Sequence, residues 1–320
     1  MKSQINIKDI QTLITKLEDN ISLAFFGKKE VIRLSLTALF SGEHLLLEDV
    51  PGVGKTMLAR TIAKSLDLTF RRIQFTPDLI PADITGGSIF NPKTQEFNFS
   101  PGPIFTNILL ADEINRTTPR TQSAMLEAMS ERQVSCDGNS YPIPKPFMVI
   151  ATENPMEYEG TYPLPESQLD RFLLRISIGY PNRNDEMDIL KSHQLSQPID
   201  QISSVLCNED VQLIQNMVKT IKIDDAIRHY VLALIEATRN SSELFAGVSP
   251  RGGIAFCRAL QAFALLNGRS FVIPDDVKSL AVPILAHRVI PKSLGLDNQR
   301  EVVETLIERL LNNVPIPAGC

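Results

Sequence analysis

Between residues 45 and 178, short apolar or β-branched runs alternate with amphipathic stretches. Residues 45–47, 70–74, 108–110, 147–151 and 173–178 read as strands, whereas residues 57–66 carry Leu58, Ile62 and Leu66 at helical spacing. Such alternation predicts an α/β fold around a parallel five-stranded sheet, with ligands at the carboxyl ends of its strands. The stretch 119–130 is a further helix: Thr118 suits its N-cap, Pro119 its first position, and Met125, Ala128 and Met129 fall on the side that faces the sheet. Two segments depart from the alternation and read as hairpins. Residues 88–90 and 97–99 flank 91–96, and Val134 to Cys136 run into the turn dipeptide Asp137-Gly138. They are either functional excursions or decorations of the core. After Tyr180-Pro181 the strand signal stops. Asn208 is expected to cap a helix through Val211, Ile214 and Val218, and residues 226–237, 250–267, 274–286 and 298–311 continue as helices. The expected division is an α/β core of residues 1–181 and a helical domain of residues 182–320.

Composition narrows the class. The 320 residues are 43% hydrophobic, with mean hydropathy near zero, as in a soluble globular protein. A polar N-terminus without the apolar stretch of a signal peptide, and no run long enough to span a membrane, make a cytoplasmic address and no membrane insertion the expectation. A net charge of −5 argues against non-specific coating of nucleic acid. Cys136, Cys207, Cys257 and Cys320 lack C-x-x-C spacing, and His44, His193, His229 and His287 form no H-x-x-x-H pair, so all eight are expected to be structural or incidental.

The chemistry concentrates at the strand ends. The first strand runs into Glu48-Asp49-Val50-Pro51-Gly52-Val53-Gly54-Lys55-Thr56, where Gly52 and Gly54 let backbone N–H groups converge on phosphate oxygens. Lys55 adds a positive charge, Thr56 offers a hydroxyl to Mg²⁺, and the helix that follows points its positive dipole end at the phosphates. Expected nucleotide contacts are Pro51, Gly52, Val53, Gly54, Lys55, Thr56 and Met57. The pattern G-x-x-x-x-G-K-[ST] wants Gly at residue 49, where this chain has Asp, and a glycine turn with a surface lysine is the competing reading.

The strand at 108–110 continues into Ala111-Asp112-Glu113. Asp112 would hold Mg²⁺, and Glu113, alternating to the other side of the strand end, would act as general base toward a water. The alternative is a strand leaving into an acidic loop. Asn154, in Ala151-Thr152-Glu153-Asn154-Pro155, could orient the γ-phosphate or the water, or simply close an Asn-Pro turn. Arg171, in Leu169-Asp170-Arg171-Phe172, could serve a neighbouring subunit's phosphates or pair with Asp170 or Glu166 of its own chain. Ser249-Pro250-Arg251 opens a helix with a cation in its first turn, which calls for a nearby anion, either a phosphate or a carboxylate of the same fold.

This order of motifs resembles the AAA+ ATPases. The stretches Ala111-Asp112-Glu113-Ile114-Asn115-Arg116, Gln122-Ser123-Ala124-Met125-Leu126-Glu127-Ala128-Met129, Ala151-Thr152-Glu153-Asn154-Pro155, Leu169-Asp170-Arg171-Phe172 and Pro274-Asp275-Asp276-Val277 through His287-Arg288 are similar to the MoxR family, over nearly the whole chain. An acidic residue at the position of Asp49 is familiar among MoxR relatives. The resemblance implies an AAA+ P-loop NTPase core with a C-terminal all-helical lid, and ATP and Mg²⁺ as cofactors. It implies Lys55 and Thr56 as the first nucleotide motif, Asp112 and Glu113 as the second, Asn154 as first sensor, Arg171 as a finger acting in trans and Arg251 as second sensor, in cis or in trans. Phe26-Gly27 resembles the adenine-side segment, and the hairpins resemble the inserts of a clade shared with magnesium-chelatase motors, minichromosome maintenance helicases and σ54 activators. It further implies a ring, usually a hexamer, acting as a chaperone-like motor on protein clients, often with von Willebrand A domains. A magnesium-chelatase-like motor subunit is the alternative. A σ54 activator would carry Gly-Ala-Phe-Thr-Gly-Ala where this chain has Gly87-Ser88-Ile89-Phe90-Asn91-Pro92, and a nucleic-acid motor would favour basic hairpin tips, where the first hairpin has only Lys93.

Overall fold

The computed structural model describes residues 7–155, 160–192, 197–292 and 299–316, so His193, Asn298 and Cys320 lie outside it. Its strands are β1 (His44–Glu48), β2 (Phe70–Gln74), β3 (Gly86–Asn91), β4 (Glu96–Pro101), β5 (Ile108–Asp112), β6 (Gln133–Cys136), β7 (Asn139–Pro142), β8 (Met148–Glu153), β9 (Phe172–Ile176), β10 (Leu244–Ala246) and β11 (Ile290–Pro291). Its helices are α1 (Ile7–Ser22), α2 (Lys29–Ser41), α3 (Lys55–Ser65), α4 (Pro81–Thr85), α5 (Pro119–Glu131), α6 (Glu166–Leu169), α7 (Arg183–Ser192), α8 (Asn208–Val218), α9 (Asp225–Asn240), α10 (Pro250–Leu266), α11 (Pro274–Leu285) and α12 (Gln299–Asn313).

Five strands pair in the order β2-β5-β8-β1-β9, all parallel. Because successive strand residues face opposite sides, both faces must be covered. Leu45, Leu47, Ile108, Leu110, Ile150 and Leu174 pack toward α1, α2 and α3, in a core that continues into α8 to α12. The alternate residues Leu46, Leu109, Ala111, Val149 and Ala151 pack against Met125, Ala128 and Met129 of α5. The register sets Gln74 beside Asp112 and Glu48 beside Glu153. Polar groups are thereby collected along one edge of an apolar sheet.

Both hairpins form. Asp137 (φ 51°) and Gly138 (φ 79°) make the tight turn between β6 and β7. Phe99 of β4 stacks on Tyr141 of β7 with centroids 3.8 Å apart, and the Ser88 hydroxyl donates to Asp137, so the two hairpins are one unit. Ile89, Phe90 and Phe97 stay exposed on the first.

After residue 181 the regular elements among the described residues are helices, apart from the short antiparallel pair β10–β11 and an isolated bridge between Lys222 and Phe271. One expected cap is corrected. Asn208 is the first residue of α8 and Cys207 its N-cap, because Asp210 accepts the Cys207 N–H (3.0 Å) while the Asn208 amide donates to the Lys145 carbonyl (3.0 Å). His44 is buried between the Val149 N–H and the Met129 carbonyl, and burial chiefly pushes its pKa down to about 3. No described helix is long and apolar enough to cross a membrane.

Candidate nucleotide site

From Glu48 the chain turns through residues 49–54 into α3. The turn requires positive φ at Gly52 (86°) and Gly54 (99°), a region open to glycine. A β-carbon on Gly54 would come 3.3 Å from the Phe25 ring, whereas one on Gly52 would meet nothing within 4 Å. The loop is therefore closed by Phe25 on one side and open on the other, where the first N–H groups of α3 have no helical acceptor. Lys55 is buried, and its ammonium donates to the carbonyls of Asp49 (2.5 Å) and Glu153 (3.3 Å). Burial pushes the Lys55 pKa below its ordinary value, against the pull of Asp49, Asp112, Glu113 and Glu153.

Asp49, the departure from the general loop pattern, has a structural account. Its buried carboxylate accepts from Ser177 Oγ (2.8 Å), the N–H groups of Ile178 and Gly179 (2.7 Å each) and its neighbour Val50 (2.9 Å). It thereby staples the start of the loop to the exit of β9. Burial works against the carboxylate, but these hydrogen bonds outweigh it and hold its pKa below the ordinary value. A depressed folded-state pKa gives stability that is present above the unfolded value and lost as pH falls through the folded one. Asp49→Ala is expected to destabilise the fold by roughly 2–4 kcal/mol near neutral pH, since it leaves N–H donors unpaired. Chemical denaturation should show the gap from wild type closing as pH drops below the usual carboxylate range; a gap independent of pH would contradict the staple.

Asp112 ends β5, and its Oδ1 accepts from Thr152 Oγ1 (2.7 Å) while its Oδ2 meets Arg72 Nη2 (2.6 Å). Glu113 does not point away by simple strand alternation. Its backbone is left-handed (φ 58°), fixed by the N–H bond to Thr152 Oγ1 (2.8 Å). Its carboxylate accepts from Gln74 Nε2 (2.7 Å) and Arg116 Nη1 (3.0 Å). A non-glycine residue held there is costly, and the surrounding contacts are what maintain it.

Pro51, Gly52, Gly54, Lys55, Thr56, Met57, Asp112, Glu113 and Asn154 line one cavity of about 440 Å³, a size typical of small-molecule sites. Arg60, Arg72 and Gln74 also border it and were not singled out from the sequence. The available signal was Arg72 and Gln74 at alternate positions of an edge strand. Two expected contacts lie off the cavity: Val53 packs on the core, and Gly27 (φ 72°) stands against the Asp185 carboxylate of α7, which occupies the place of a side chain. The hydroxyl of Thr56 and the carboxylate of Asp112 are hard oxygen donors beside a lysine and a helix N-terminus, a set that suits a magnesium nucleotide.

Arg171 and Arg251 lie elsewhere. They share two cavities of about 240 and 260 Å³ near the amino ends of β1 and β9. Arg171 Nη1 donates to the Leu126 carbonyl (3.1 Å) and to Ser130 Oγ, and its buried Nε has no hydrogen-bond partner. The pair with Asp170 or Glu166 does not form. Asp170 instead takes Arg288 Nε (2.8 Å), whose other nitrogens reach the carbonyls of Phe172 (2.6 Å) and Leu173 (3.0 Å). Arg251, largely exposed, has Asp170 Oδ2 4.0 Å from its Nε, so the nearby anion is a carboxylate of the same fold.

Comparison with known proteins bears on the fold and the family. The model of the ATPase family associated with various cellular activities (AAA) matches residues 44–174, and that of the AAA lid domain matches residues 236–309. A crystal structure of an inferred ATPase from Cytophaga hutchinsonii superimposes with a TM-score of 0.88 at 36% identity, covering 97% of this chain and 96% of that one. Chaperone MoxR1 of Mycobacterium tuberculosis is 40% identical over 91% of this chain and 79% of its own length. The chain belongs to the MoxR family of AAA ATPases. YeaC of Bacillus subtilis, an uncharacterized protein, is 48% identical over 97% of both chains, and protein MoxR of Methylorubrum extorquens is 28% identical over 97% of both. As a MoxR ATPase the protein is an ATP hydrolase with an AAA core and a helical lid. This MoxR chain keeps its phosphate-loop cavity at the carboxyl ends of the sheet and Arg171 and Arg251 near the amino ends.

Proposed function

We propose that this MoxR ATPase is Mg²⁺-dependent, assembles head to tail into a ring, as a hexamer, and uses ATP turnover to mature or remodel client proteins. The separation of Lys55, Thr56, Asp112, Glu113 and Asn154 in one cavity from Arg171 and Arg251 on another face carries the reading. With Arg171 and Arg251 on the far face, the site is completed by a neighbour presenting that face, and such a heterologous contact generates a ring when its rotation closes.

In this reading Lys55 and the backbone N–H groups of residues 52–56 bind the phosphates, with Pro51, Val53 and Met57 shaping the loop and Gly27 the adenine side. Thr56 and Asp112 hold Mg²⁺, which neutralises charge on the phosphate oxygens when bound. Glu113 takes the proton as a water oxygen forms its bond to the γ-phosphorus and the bond to the β-phosphate oxygen breaks. Asn154 orients the water or the γ-phosphate, while Arg171 of the next subunit and Arg251, in cis or in trans, offset the developing charge. The core spans residues 1–181 and the lid residues 182–320. A cytoplasmic site of action goes with the need for ATP. The name of one relative, a chaperone, favours a chaperone-like role over a magnesium-chelatase motor or a nucleic-acid motor, and the family resemblance suggests von Willebrand A domain proteins as clients.

Phosphate release from the purified protein tests the reading. The rate per subunit is expected to rise with protein concentration, to vanish with EDTA, and to be lost in Lys55→Ala. Turnover that survives chelation, or that persists in Lys55→Ala, contradicts it.

A further inference from the structure

Beneath the phosphate loop, β1 and β8 end side by side on two carboxylates, Glu48 and Glu153. Glu48 precedes Asp49, and the carbonyls of Asp49 and Glu153 are the two that hold the Lys55 ammonium. The ends of these two strands, through their carbonyls, are the floor of the loop, and the two carboxylates sit on them. Glu48 Oε2 is buried without a hydrogen-bond partner, and it lies 3.4 Å from Arg175 Nη1 of β9 and 3.6 Å from Arg300 Nη1 of α12. Arg300 Nη1 also donates to the Glu48 carbonyl (3.2 Å), and its Nε meets Glu304 Oε1 (2.7 Å).

We infer that Arg300 is a positioning residue through which the C-terminal helix sets nucleotide affinity, by balancing the Glu48 and Glu153 charges under the phosphates and tying down the end of β1. The inference rests on the reading of the loop as a phosphate cradle. Without Arg300, the floor keeps two carboxylates against Arg175 and Lys55, and the added negative charge repels the triphosphate. Burial, then Glu48, push the Glu153 pKa up to about 7, against Arg175 and Lys55. The charged groups facing Glu153 are thus Glu48 of β1, Lys55 of α3 and Arg175 of β9, with Arg300 and Glu304 of α12 behind them. Below that pH Glu153 takes up a proton, so the penalty for losing Arg300 must shrink. A contact that only braced the fold would not follow this titration.

Binding of a fluorescent N-methylanthraniloyl-ATP with Mg²⁺ to the full chain at pH 8 and pH 6 is the test. R300A is expected to raise Kd about fivefold at pH 8 and less than about twofold at pH 6, and R300K to restore it to within about twofold of wild type. An unchanged Kd for R300A at pH 8, or the same penalty at both pH values, overturns the inference. If R300A fails to fold by circular dichroism, R300Q, which keeps a neutral donor on a shorter side chain, is read against the same two criteria. Failure of the underlying reading looks different: wild type itself would not bind the analogue, or K55A would bind it equally well.

Discussion

Glu113→Gln is expected to bind ATP while its hydrolysis falls by about 10²–10⁴-fold, the usual range for removal of a general base. The amide is nearly isosteric and its oxygen can still accept from Gln74 and Arg116, the two side chains that donate to the carboxylate. The left-handed backbone at Glu113 is held by a main-chain bond to Thr152, which the substitution leaves intact. The change therefore removes proton acceptance and little else. Phosphate release and equilibrium binding of the same preparation separate the two effects. Turnover close to wild type would remove Glu113 from the role of base.

Arg171→Ala is expected to cost roughly 10³–10⁵ in turnover if, as proposed, it acts in trans, the range known for arginine fingers. Its guanidinium is tethered to the end of α5 through the Leu126 carbonyl and Ser130, and it does not border the cavity lined by Lys55 and Glu113 of its own chain. The loss should therefore fall on the assembled state. Wild-type activity per subunit is expected to climb with protein concentration, while that of Arg171→Ala stays flat. A wild-type rate independent of concentration would count against the trans role.

How far the molecule was legible in its sequence follows from the range of the forces involved. The three central strands β1, β5 and β8 are buried on both faces and end on a carboxylate, so runs such as residues 45–47 and 108–110 announce themselves by composition. The tight hairpin at Asp137-Gly138 was equally local, because the turn needs two residues that accept positive φ. Asp49 was not legible as a staple, since its partners Ser177, Ile178 and Gly179 lie 128 to 130 residues away. The same holds for Arg288, which takes Asp170 and so leaves Arg171 without the carboxylate weighed for it. Asn208 was misplaced by one residue because capping preference favours Asn, whereas here Asp210 reaches back to the Cys207 N–H. Arg72 and Gln74 passed unnoticed because only the parallel pairing of β2 with β5 sets them beside Asp112 and Glu113.

The central claim is that each hydrolytic site is built from two subunits, and mixing two inactive variants tests it most directly. Glu113→Gln keeps Arg171, and Arg171→Ala keeps Glu113. In a head-to-tail ring assembled from equal parts of both, about a quarter of the interfaces place an intact Glu113 against an intact Arg171. ATP turnover is expected to return toward roughly a quarter of the wild-type rate in the mixture. A mixture as inactive as its two components, with co-assembly verified, would show that Glu113 and Arg171 serve the same subunit and would contradict the shared site.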